Sequence, residues 1–194
     1  MEREKLLGFL VTRWEVKSQK PFRFKDFYSL LHEWILDHEY TPSTRDIDFP
    51  EISYYESISQ KGGKETWIKW RCNYIPEDNK FYRRILNIDI HGLGMKPMEI
   101  VQNNKKYLLD KGEVYVSCQA ILEIDWTGKW RKNWLLKHFL EIFYKRIVWK
   151  SMEKHKQEVH EDSHILNEFV KEYFEIQREG TKPTYYQKST ITEG

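Results

Sequence analysis

Cysteine is scarce in this chain: Cys72 and Cys118 are the two among 194 residues. They sit 46 positions apart in β-rich stretches, so no disulfide framework organises the fold. Two buried, reduced thiols are expected, since a bridge would need neighbouring strands to bring them together. Alanine is rarer still, with Ala120 standing alone. Nine glycines and six prolines are too few for a low-complexity or collagenous chain. Long apolar runs are missing too. No window reaches ~18 uncharged apolar residues, so no transmembrane helix is expected. The opening MEREKLLGFLVTRWEV is broken by Arg13 and Glu15 and does not read as a signal peptide. The expected location is cytoplasmic.

Catalytic motifs are absent as well. There is no P-loop and no G-x-S-x-G, and HGLG at 91–94 is a lone G-x-G that reads as a turn between strands. His160 and His164 are spaced i, i+4 in HKQEVHEDSH, as two metal ligands on a helix would be. Glu161 follows His160, so HEDSH has the H-E-x-x-H spacing of a metalloprotease helix, but no distant third ligand is evident, so a solvated polar joint is the reading and neither metal nor cofactor is expected. Asp89 and His91 share the outward face of one strand, yet no residue is assigned a catalytic role. The net charge of +2 gives no overall pull towards nucleic acid.

What the chain does have is aromatic mass: eight Trp, twelve Tyr and ten Phe. These bury much area each, and a chain of this length forms a sizeable core without staples. The stretch 5–16 reads as a strand. Residues 24–40 read as a helix, with Phe27, Leu30, Leu31, Trp34 and Ile35 recurring at three- and four-residue steps. Gly62-Gly63 separates two β-rich runs, a hairpin signal. Downstream, Ile68, Trp70 and Cys72, then Leu86, Ile88 and Ile90, then Val114 through Ile124 alternate with polar neighbours. That period-two pattern marks half-buried antiparallel strands. Asn103-Asn104 suggests another hairpin. From about residue 131 the pattern turns helical, to about Gln177.

The order is therefore strand, helix, a meander of strands, then a long helix. Strand 113–126 feeds directly into helix 131–150, and the early helix 24–38 follows the first strand. On these features the chain resembles the helix-grip fold of the START-like and polyketide-cyclase-like superfamily. The resemblance implies a curved antiparallel sheet wrapped around a C-terminal helix, often enclosing an apolar cavity. It implies no catalytic residues. The expected class is α+β, with residues 1–150 as the helix-grip-like domain, 151–178 as a helical extension and 179–194 as a flexible tail.

Around the helix 131–150, Leu136, Phe139, Leu140, Phe143, Tyr144 and Ile147 fall in one arc. Leu135, Ile142 and Trp149 make a second stripe, which calls for a second packing partner. The segment 163–177, with Phe169 and Tyr173 on its apolar half, is the nearest candidate, either within the chain or in a dimer. Trp130 and Trp134 fall off the core arc and suit a mouth or a contact surface. Lys129, Arg131, Lys132, Lys137, Lys145 and Arg146 begin a basic block running to Lys156, and an acidic stretch, Glu161–Glu179, follows.

The function expected is non-enzymatic: a domain holding an apolar or amphipathic small molecule between sheet and C-terminal helix. Its cavity would be lined by Trp70, Leu86, Ile88, Cys118, Ala120, Phe139 and Phe143. The alternative is an interaction or scaffold protein, a homodimer or complex subunit, using Trp130, Trp134, Leu135, Ile142, Trp149, Phe169 and Tyr173. A lesser reading is RNA or ribosome contact through the basic block.

Overall fold

Residues 7–42, 50–58, 62–77, 79–102, 105–134, 136, 146 and 149–176 are described by a computed structural model. They form β1 (Leu7–Ser18), α1 (Phe24–Asp37), β2 (Thr41–Pro42), β3 (Glu51–Ile58), β4 (Lys64–Tyr74), β5 (Tyr82–Gln102), β6 (Lys105–Ile124), α2 (Lys129–Lys132) and α3 (Trp149–Ile176). All pairings are antiparallel, in the order β1-β6-β5-β4-β2, with β3 also on β4. The class is α+β: an open antiparallel sheet with a C-terminal helix.

The alternation fixes the two faces. Ile68, Trp70, Cys72, Leu86, Ile88, Ile90, Val114, Val116, Cys118, Ala120, Leu122 and Ile124 all lie on one side and are buried. Both long helices cover that side. α1 contributes Phe27, Leu31, Trp34 and Ile35. α3 contributes Met152, His155, Val159, Ser163, Leu166, Val170, Tyr173 and Phe174 at three- and four-residue steps, and packs over β1, β6 and β5. The helices meet through Phe27, whose ring lies 5.1 Å from both Tyr173 and Phe174. The Tyr173 hydroxyl donates to the Arg23 carbonyl at 2.9 Å.

α1 begins without a capping side chain of its own. Asp110 of β6 supplies the missing acceptor, taking the Phe24 N–H at 3.0 Å. The same residue pairs with Phe22 backbone to backbone. α1 ends in a Schellman arrangement. Glu39 is left-handed at φ 59°, and the N–H groups of Glu39 and Tyr40 return to the carbonyls of Leu36 and Ile35.

Two sequence expectations are corrected here. HGLG is no turn: β5 runs through it as a β-bulge between Leu93 and Lys96, with Gly94 left-handed at φ 63°. A side chain at Gly112 would meet the Met95 sulfur at 2.6 Å, so Gly112 leaves room for Met95, which is buried there. Nor does one helix run from residue 131 to 150. Asn133 has an extended backbone, and its Oδ1 accepts the Leu136 N–H at 3.2 Å, the contact of a fresh N-cap. Leu135, Lys137, Phe139, Ile142, Phe143 and Lys145 lie outside the described residues. The helix seen covering the sheet is α3.

Candidate functional site

A cleft of ≈ 390 Å³ opens between the start of α1 and the inner face of the sheet. α1 contributes Phe24, Lys25 and Tyr28; the strands contribute Tyr54, Lys64, Thr66, Met95 and Asp110. Two of them are placed by features already described. Asp110 is held by the start of α1, and Met95 is turned inward by the bulge. Tyr28 stands edge-on against the buried Trp70, with ring centroids 5.0 Å apart. The cleft thus rests on the core without opening into it.

Its lining is half apolar or aromatic, from Phe24, Tyr28, Tyr54 and Met95, and half polar, from Lys25, Lys64, Thr66 and Asp110. The Tyr54 hydroxyl donates to Glu56 at 2.8 Å, and Lys64 pairs with the same carboxylate at 2.7 Å. Burial, then the hydrogen bond to Glu56, pushes the Tyr54 hydroxyl up to about 12, so it remains a donor across the neutral range. Lys64 first, and Tyr54 second, hold the Glu56 carboxyl below its ordinary value. The cleft is concave and sets three rings and the Met95 thioether beside a few polar groups.

A second polar cluster lies under α3. Arg84 reaches Glu158 and Asp162, and sits 4.8 Å over the Tyr74 ring. Tyr40 donates to Asp162 at 2.7 Å, and His155 meets Glu158 at 3.0 Å. Burial, followed by the Asp162 charge, raises the Tyr40 hydroxyl well above its ordinary value. The charges here are paired with one another, while Arg84 Nε is buried without a hydrogen-bond partner among the described residues, and the cluster ties α3 to β5 and to the end of α1.

The outer face carries a third arrangement. One row of the register joins Lys17, Tyr115, His91, Trp67 and Tyr55 across five strands. His91 stacks on Trp67 at 4.8 Å and on Tyr115 at 6.0 Å, Tyr55 closes on Trp67 at 5.3 Å, and Lys17 lies 4.9 Å over Tyr115. A shallow groove of ≈ 440 Å³ runs beside it, lined by Glu15, Lys69, Asp89, Leu93 and Ser117 as well. The inner rings of the row face one another, so base-stacking surfaces are not on offer there.

The residues expected to form a cavity are brought together, but as packed core. Trp70, Leu86, Ile88, Cys118 and Ala120 are fully buried, and neither cleft is lined by any of them. Burial pushes the thiols of Cys72 and Cys118 up to about 12. Both are free, and β5 runs between their strands, which keeps them too far apart to bridge. Among the residues expected at an interface, Tyr173 lies in the intramolecular core and Phe169 packs beside Trp34. Trp130 turns its ring to Phe81 at 6.0 Å. Trp134, 76% exposed, and Trp149 face solvent, as do Lys129, Lys132 and Arg146. Among the described residues no cluster of three His, Cys, Asp or Glu could hold a metal ion. No helix of the described residues is long and apolar enough to cross a membrane.

The α1 cleft gave no local signal in the sequence, because its lining comes from five separate elements. No family model, no curated protein and no solved structure matches the chain.

Proposed function

We propose that this protein is a non-enzymatic binding domain that holds an amphipathic small molecule against the inner face of its sheet. The observation that carries this reading is the ≈ 390 Å³ cleft, where Phe24, Tyr28, Tyr54 and Met95 meet Lys25, Lys64 and Asp110. The apolar body of the ligand lies on the rings and the thioether. Its polar end meets the two ammonium groups or the Asp110 carboxylate. The site sits between sheet and α1 rather than beneath the C-terminal helix. The strand order supports the helix-grip reading: the first strand pairs with the last, and the rest form a meander. Asp110 and Glu56 accept bonds that hold the cleft together, which favours binding over turnover.

The test uses 8-anilinonaphthalene-1-sulfonate, an aromatic anion. Saturable binding at one site, weakened several-fold in Lys25→Glu, supports the reading. Lys25 is exposed, so its replacement leaves the core intact. Absent or non-saturable binding contradicts it.

The interaction reading keeps one observation of its own, the exposed Trp134 beside Lys132. A contact surface there would be independent of the cleft.

A further inference from the structure

The sheet has two edges, and they are built differently. β1 carries Arg13, Glu15 and Lys17 along its length and is interrupted by a bulge between Leu10 and Thr12. Its Trp14 is fastened to α3 by hydrogen bonds to Ser163. Charge and bulge are the devices that stop an edge from recruiting another strand. β3 has neither lysine, arginine nor proline; its charges are Glu51 and Glu56, and its one irregularity lies at its start, between Glu51 and Ser53. It reads EISYYESI, and it exposes Ile52 (51%), Tyr54 (51%), Tyr55 (58%) and Ile58 (80%). Among the described residues its backbone pairs with β4 alone.

We propose that β3 is the interface through which two copies of this chain pair, edge to edge and antiparallel. The argument for a second copy, rather than another partner, is that the strand is complementary to itself. A two-fold axis through Tyr55 sets Ser53 opposite Ser57, Tyr54 opposite Glu56, and Tyr55 opposite Tyr55, and brings Ile58 beside Ile52 at the bulge. Apolar faces apolar, each Tyr54 hydroxyl faces a Glu56 carboxylate, and no like charges oppose one another. Such an isologous contact closes on itself and yields a dimer, not a fibre. Backbone hydrogen bonds between the free edges supply the affinity, as in other strand-addition contacts.

The outer-face row adds a second, independent reason. It runs from Lys17 through Tyr115, His91 and Trp67 and ends at Tyr55, whose ring has a neighbour on the Trp67 side. In the paired molecule Tyr55 of one copy meets Tyr55 of the other, and the row continues through both sheets. The first cleft also gains, since Tyr54 is the lining residue contributed by β3. The second copy extends the inner face beyond it.

Sedimentation velocity on the full chain, across the micromolar range, tests this. The wild type is expected at twice the chain mass. Tyr55→Lys and Tyr55→Glu each sediment at the chain mass, because each sets like charges against one another at the axis. An equimolar mixture of the two returns to the double mass. Circular dichroism checks that the variants fold; should Tyr55→Lys unfold, Ile58→Lys carries the same prediction from a more exposed position. A wild type that stays monomeric overturns the proposal. So does a dimer that survives Tyr55→Lys, one that separates only on Trp149→Asp, or a mixture that stays monomeric.

Discussion

The two faces of the sheet are made by the same alternating strands and do opposite things. On the inner face the strands present Ile, Val, Leu and Cys, and two helices remove them from water. On the outer face they present Tyr115, His91, Trp67 and Tyr55, which touch one another while carboxylates, lysines and serines fill the adjacent row. The inner face gains from area removed from solvent, at about 25 cal/mol per Å². The outer face gains from cross-strand ring pairs, each contributing a fraction of a kcal/mol. The two proposals divide along the same line. The inner face, where α1 lifts away at its start, forms a cleft; the outer face and β3 edge form a surface.

The comparison breaks most visibly at Trp70. Its loss leaves a cavity under Tyr28 and His32, and Trp70→Ala should cost roughly 3–5 kcal/mol in urea unfolding. A cost below about 1 kcal/mol would show that the inner face does not hold the fold. Next comes Arg84, whose side chain is 12% exposed. Arg84→Met leaves Asp162 without its cation, and Glu158 with Lys154 and His155 alone, and should cost about 3 kcal/mol. Replacing Glu158 by Gln in the same chain should recover part of that, as a double-mutant cycle would measure.

The buried thiols give a pH signature. Cys72 and Cys118 have folded values pushed from 9.0 to about 12 by burial. Above 9.0 the unfolded chain releases these protons first, so it binds fewer than the native state and stability falls with rising pH. Between 9.0 and about 12 each thiol contributes a loss of up to about 1.4 kcal/mol per pH unit. Below 9.0 this dependence is absent. Thermal unfolding of the wild type beside the Cys72→Ser, Cys118→Ser variant should show the difference; equal alkaline slopes would contradict the burial. The smallest effect belongs to the outer face. Trp67→Ala should cost about 1 kcal/mol and leave probe binding at the α1 cleft unchanged. A larger loss, or a loss of binding, would mean that the two faces are not independent.

What could be read from the sequence follows the range of the interactions. Alternation at Ile68, Trp70, Cys72 and at Val114 to Ile124 depends on neighbours two residues away, and it names the inner face correctly. Gly62-Gly63 marks its hairpin for the same local reason, while Asn103-Asn104 lies outside the described residues, between the paired Gln102 and Lys105. The bulge at HGLG was not legible, because a paired glycine looks like a turn until Gly112 is known to stand beside Met95. The break at Asn133 hid inside a continuing helical periodicity, since the same residue serves as helix surface or as cap. The contacts of Trp67 with Tyr55 and His91 are set by the register of three strands, which no local spacing shows. The cleft is the extreme case. Phe24 and Asp110 are joined by one hydrogen bond across most of the domain, and no spacing announces it.

Native mass spectrometry of the full chain, with Met95→Trp measured beside it, tests the central claim most directly. The account predicts that the wild type carries an extra mass released on denaturation. It predicts that the folded Met95→Trp chain, its cleft filled, carries none. The same bound mass on both would place the ligand elsewhere, and no bound mass on either, with no probe binding, would contradict the binding function.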